Sequence, residues 1–361
     1  MQSILTVILA IFVFGILILT HELGHYLFAR LFKVTVNEFS IGMGPRLLSH
    51  VSKKTGIRYT LALIPFGGYV SMAGEHDGID ESLPHNPKAP LNDPNTFDKK
   101  PAWQRFIISV AGAAVNIILG VIATVIVVSV INIGGTTVRG FLPSEDTGYE
   151  ISSSESGLAV DDVIVAIGGQ GVSTADELQY EILRRGHQPV DVTVIRGGEQ
   201  MILEKVVFPT VTEDGQVFGM IDFSVNRLEK NVGTVLNHAF RKSLLTIRQV
   251  WESIYDLITG RYTVAAVSGP VGISAAIGDA ASYGFIVFLN LVAMISINLG
   301  VMNLLPIPAL DGFRMITTFI EMITRKRIPE KIEGVANAVG LLILLGLSVL
   351  ILVKDVFQLF G

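Results

Sequence analysis

The 361-residue chain contains no cysteine, only two tryptophans, and charged residues at just 16% of its positions. Without cysteine there is no disulfide and no thiolate metal site, so any bound metal must rest on His, Asp or Glu. A net charge of −5 leaves no broad basic surface for neutralising phosphates, which argues against nucleic acid as a main partner. So little charge also excludes an ordinary soluble chain, because half of the residues are hydrophobic and the mean hydropathy is +0.55. The N-terminal apolar run continues through His21-Glu22-Leu23-Gly24-His25 to Ala29 without a small-residue cleavage site. It reads as a retained segment, not a signal peptide.

What is present is apolar and long. Four stretches, 4–29, 106–133, 285–305 and 334–353, are long enough to cross a bilayer, which takes about 20 helical residues. Only the first holds a charged residue, Glu22. The expected fold is therefore an α-helical polytopic membrane protein of about four transmembrane helices. Lys53, Lys54, Lys99 and Lys100 lie in the segment 31–104, and Arg325, Lys326 and Arg327 in the segment 307–333. The positive-inside rule puts both segments on the cytoplasmic face, with the 134–284 segment and both termini opposite.

Between the first two spans, Ile57, Tyr59, Leu61 and Leu63 alternate with smaller or polar residues in a strand period. With a turn at Lys53–Gly56, this predicts a β-hairpin over 34–73, followed by a cytoplasmic loop over 75–104. The hairpin either lies partly in the membrane, packed on protein or water, or forms a small cytoplasmic sheet. Residues 1–133 then make a first membrane half and 285–361 a second. In between, the pattern predicts strands at 162–167, 190–195 and 201–207 and a helix near 174–185, the core of an inserted α+β domain assigned to 134–222. In the following 223–284 segment, Leu236, Phe240, Leu244, Ile247, Trp251, Ile254 and Ile258 recur at helical spacing. This amphipathic helix either lies on the outer membrane face or packs on the inserted domain.

The chemistry concentrates in the first span. His21 and His25 are four residues apart, so on a helix their imidazoles share one face and can hold one ion, and Glu22 is offset enough to reach a metal-bound water. A charged group in a span costs about 2.5–3.5 kcal/mol at the helix centre, so function is its better explanation than helix-to-helix glue. A catalytic zinc takes three protein ligands and leaves one position open. Asp311 follows directly on the third apolar run, where Pro306 and Pro308 break the helix, and either turns back to the histidines or faces cytoplasmic water. His50, His76, His85, His187 and His238 all lie outside the spans. Asn116 and Asn303 are candidate supporting amides for an oxyanion, with bonding between helices as the alternative.

Two sets of motifs carry a resemblance. The segment SGLAVDDVIVAIGGQGVST at 156–174 is similar to the PDZ domains of bacterial proteases, with Asp161 where a glycine is usual. HELGH at 21–25 together with NLLPIPALDGFR at 303–314 resembles the site-2 protease family of intramembrane zinc metalloproteases. FGGYVSMAG at 66–74, AGAAVN at 111–116 and SGPVGI at 268–273 extend the resemblance; Ala113 and Phe313 depart from the family pattern. The resemblance implies Zn2+ on His21, His25 and Asp311, with Glu22 as general base. It implies membrane-spanning protein substrates, such as anti-sigma factors or signal-peptide remnants, cut in a bacterial inner membrane after a first cut by another protease. The PDZ-like domain would bind peptide C-termini or filter by size. The rival readings are a metal-ion transporter, for which Glu22 has no particular use, and an inactive PDZ-bearing scaffold, which would not need the metal set.

Overall fold

A computed structural model describes residues 2–75, 86–90, 92–142, 152–213, 216–261 and 268–360. The chain forms two compact units, one of residues 1–123 and 246–361, the other of 124–245.

The first unit opens with helix α1, Gln2–Leu31, whose unbroken run of Leu, Ile, Val and Phe has no internal proline to stop it. Two long strands follow, β1 (Val36–Val51) and β2 (Arg58–Met72), joined around Lys53–Gly56. The predicted hairpin is therefore present, and each strand bends once. Residues 36–41 pair on one side with 68–72 and on the other with 58–61, while 58–62 pair onward with 46–51. Gly42, Gly44 and Gly67, with φ of +87°, +86° and +90°, make the bends in backbone that a Cβ would strain. The edge formed by 68–72 has no further strand beside it among the described residues. Helix α2, Ala102–Val130, closes this half. It ends three residues short of the expected boundary at 133.

Within the second unit, β3 (Gly134–Phe141), β4 (Val163–Ile167), β6 (Val190–Arg196), β7 (Glu199–Val206) and β10 (Phe223–Arg227) make one sheet in the order β10-β3-β4-β6-β7, with the short β5 (Gln170–Gly171) beside β4. Helix α3, Ala175–Arg185, starts on a capping box in which the Thr174 side chain and Glu177 satisfy each other's backbone N–H. Ile164, Ile167, Leu178, Ile182, Val192 and Phe208 form the buried core. The strand at 223–227 lies past residue 222, so the sheet draws in a piece of chain that its own pattern did not mark. A separate hairpin, β8 (Thr210–Glu213) with β9 (Gln216–Gly219), completes the strands. Asp161 adopts φ +70°, so the left-handed turn remains where the related pattern has glycine; Asp tolerates that region better than most residues. Its neighbour Asp162 is fully buried and takes two bonds of 2.7 Å from the Arg196 guanidinium. Burial pushes the Asp162 carboxyl up, but Arg196 outweighs it and holds the group below the ordinary carboxylate range.

The amphipathic helix α4 spans Val232–Ile258, longer than the spacing alone marked. Within the second unit its N-terminal half is tied to α3, since His238 Nε2 and Lys242 Nζ each lie 3.1 Å from the Asp176 carboxylate. Its C-terminal half belongs to the first unit, where Val250 packs with Ile297 and Val301. Helix α5, Pro270–Ser282, takes in the PVGI of the SGPVGI segment and begins on a proline, whose missing N–H is harmless at a helix start. Then come α6 (Phe285–Asn303), α7 (Asp311–Thr324) and α8 (Glu330–Phe360). Small residues bring α2 and α6 close: a Cβ on Gly120 would lie 2.8 Å from the Ala293 carbonyl, and one on Gly300 2.7 Å from that of Ala113. Four helical stretches are long and apolar enough to cross a membrane, Ile4–Leu31, Ala102–Val130, Phe285–Asn303 and Lys331–Asp355.

Candidate metal centre

His21 and His25 sit one turn apart on α1, both about nine-tenths buried. The Nδ1 of His25 lies 2.8 Å from the Ile108 carbonyl of α2. Because that carbonyl only accepts, the proton belongs on Nδ1 and the Nε2 lone pair is free. The Nε2 atoms of the two rings stand 3.2 Å apart, and Asp311 Oδ2 is 2.9 Å from that of His21 and 3.2 Å from that of His25. Three acceptor-capable atoms converging in this way call for a cation among them. A tetrahedral zinc with bonds of about 2.0–2.1 Å spaces its ligands by about 3.3 Å, so the donor set fits the ion in both chemistry and spacing. Among the described residues, this trio forms a group of His and carboxylate side chains close enough to hold a metal.

Asp311 is 286 residues from His25 in sequence and is the first residue of α7, a helix end that favours a carboxylate. The preceding turn folds back so tightly that a Cβ on Gly312 would meet the Leu305 carbonyl at 2.2 Å.

The trio opens on a cavity of about 620 Å³, lined also by Glu22, Tyr69, Val70, Met72, Arg314 and Asn337. Strand β2 forms one wall: a Cβ on Gly68 would come within 3.3 Å of Glu22 Cγ. Helix α2 forms another, where a Cβ on Gly112 would lie 2.3 Å from His25 Nε2 and 2.9 Å from His21 Cε1. Sequence reasoning did not single out Gly112, although the AGAAVN similarity contained it. Arg314 was missed as well; it pairs with Glu75 and stacks 5.2 Å from the Phe97 ring centre.

Asn116 and Asn303 do not line this cavity. Asn116 is fully buried between helices, accepting from Thr20 Oγ1 at 3.0 Å and from Ser296 Oγ at 2.7 Å through its main chain, with Nδ2 left unpartnered among the described residues. Asn303 is the last residue of α6. Of the other histidines, His50 lines an apolar pocket on the hairpin and His238 bonds Asp176. His187 bonds the Arg184 carbonyl, and His76 and His85 lie outside the described residues.

Paired histidines and a carboxylate around one point, a second carboxylate on the adjoining residue, and four helices apolar enough to cross a membrane define a membrane-associated metallopeptidase class. Residues 9–347 match Peptidase family M50, and the chain belongs to that family. It is 32% identical over 356 residues to a protein of Clostridium acetobutylicum named as a proposed zinc metalloprotease, covering 98% of each chain. A Clostridium perfringens protein with the same description is 34% identical, over 97% of this chain and 98% of that one. The zinc metalloprotease RasP of Oceanobacillus iheyensis is 29% identical, over 98% and 99%. The chain is thus a membrane protein and a zinc metalloprotease of the site-2 protease type.

Proposed function

We propose that this enzyme hydrolyses peptide bonds within or next to the transmembrane segments of single-pass proteins, from a site near the cytoplasmic face of a multi-pass inner-membrane protein. The observation that carries the reading is the meeting of His21, His25 and Asp311 at one point on a cavity that opens between apolar helices. In this reading the three residues hold zinc and Glu22 is the general base. Bound zinc supplies Lewis-acid polarisation of the scissile carbonyl and makes water acidic enough to attack at neutral pH. Glu22 takes the proton of the attacking water and hands it to the departing amide nitrogen. His25 is kept in the ligating tautomer by Ile108, and the apolar walls limit competing water. A rival role in ion transport gives Glu22 no task.

A substrate helix must unwind before it is cut, because its carbonyls are tied up in its own hydrogen bonds. The edge at 68–72 has no strand beside it among the described residues and, with its Met72 N–H held by Glu75 Oε2 at 3.2 Å, offers the exposed chain its remaining main-chain groups to pair with beside Glu22. Residues 58–61, by contrast, are paired on both sides, so the useful edge is not the stretch that the strand period marked. Exposed Met43, Leu47, Leu48, Leu63 and Ile64 on the outer part of the hairpin suit contact with lipid. The inserted domain at 134–222, a PDZ-like module on the outer face, excludes uncut proteins so that another protease acts first.

Glu22→Gln in the purified enzyme tests the core of this reading: zinc content is expected to stay, and cleavage of a transmembrane peptide to fall by about 10²- to 10⁴-fold, the range for a lost general base. Undiminished cleavage refutes it. Removing the whole sheet domain, 134–227, should let the enzyme accept full-length substrates, and continued rejection would eliminate the filter.

A further inference from the structure

Asp311 begins α7 directly after a segment, 304–310, with no regular structure of its own. Between α6 and α7, Pro306 and Pro308 have no N–H, and the N–H groups of Leu304, Leu305, Ile307 and Leu310 donate to the carbonyls of Val301, Met302, Leu305 and Ile307. Of these N–H groups, the one left over is that of Ala309, and it donates to Asn337 Oδ1 on α8 at 3.0 Å. Ala309 also has φ +74°, a left-handed conformation that costs about 1–2 kcal/mol for a residue with a Cβ. Such a conformation persists only where its surroundings hold it.

One turn further along α8, Gly340 completes the hold. A Cβ there would lie 2.4 Å from the Pro308 carbonyl oxygen and 2.6 Å from Pro308 Cβ. Asn337 and Gly340 thus form a notch that seats Pro308–Ala309, two residues before Asp311. An amide inside an apolar span asks for a function, and the Ala309 N–H fixes which way this one faces, since only Oδ1 accepts.

We propose that Asn337, with Gly340 beside it, is a positioning residue for the metal centre: α8 holds the Pro308–Ala309 segment so that Asp311 meets His21 and His25. This inference rests on those three residues being the zinc ligands. Chelator competition for zinc on the purified full chain tests it, with Asp311→Ala as the reference. Asn337→Ala is expected to weaken zinc by about 10- to 100-fold, as loss of groups that orient metal ligands does. Asn337→Asp keeps an acceptor for the Ala309 N–H and should restore most of that loss. Gly340→Ala, whose methyl pushes on the Pro308 backbone, should weaken zinc as Asn337→Ala does. Gly346→Ala, on the same helix with nothing within 4 Å, should not. Wild-type zinc affinity in Asn337→Ala, or equal losses in Asn337→Ala and Asn337→Asp, overturns the proposal. If Asn337→Ala does not fold, wild-type affinity in Gly340→Ala overturns it alone. Zinc retained by Asp311→Ala would instead remove the ligand assignment, and this inference with it.

Discussion

The two sources of the candidate metal centre are built differently. Helix α1 delivers His21 and His25 by local geometry, because residues four apart on a helix face the same way whatever surrounds them. The segment 304–310 delivers Asp311 through contacts with other elements: it folds back on the end of α6, and its Ala309 N–H is held by α8. A ligand pair borne on a helix needs little from the rest of the molecule except room. A ligand borne on a broken helix needs a jig.

Alanine at His25 and at Asp311 tests whether the two sources matter equally to the ion. Both are expected to lose zinc and to lower kcat/KM by about 10³-fold or more, the loss of several kcal/mol of transition-state stabilisation. Zinc retained by only one of the two variants, measured by metal analysis, would break the symmetry. Room for the pair is the next point: Gly112→Ala drives a methyl to within 2.3 Å of His25 Nε2 and should weaken zinc about 10- to 100-fold, with the fold intact by circular dichroism. Unchanged zinc affinity would show that α2 yields easily. The smallest effect belongs to the wall at 68–72. Successive N–H groups of a strand point to opposite edges; the Ala73 N–H bonds the Thr35 carbonyl inward and the Met72 N–H bonds Glu75 outward, so Tyr69→Pro removes an inward donor and Val70→Pro the outward one beside Glu22. Cleavage of a transmembrane peptide should fall about fivefold in the Val70 variant with zinc unchanged, one lost hydrogen bond being worth about 1 kcal/mol. Equal rates in both would dismiss the edge.

Much of this was legible in residue order. The four apolar helices follow from composition, and the helix at Ala175–Arg185 follows from its capping residues. Asp311 was within reach because two prolines end a helix just before it. Helix α5 was not legible, since its 13 residues, mostly small or apolar, carry no amphipathic period. Nor was strand β10, which five residues define only by pairing with β3. Gly112 and Asn337 could not be ranked above other glycines and amides, because what matters at each is the atom across the gap.

By itself, then, the sequence determined the candidate histidine pair and the helix that carries it, since periodicity acts through bonds a few residues long. Only the tertiary structure decided that a carboxylate 286 positions from His25 completes the set, that a glycine leaves space for it, and that an asparagine of α8 bonds the turn that presents it. Those are contacts between surfaces, and their distances are set by packing, which no single segment encodes.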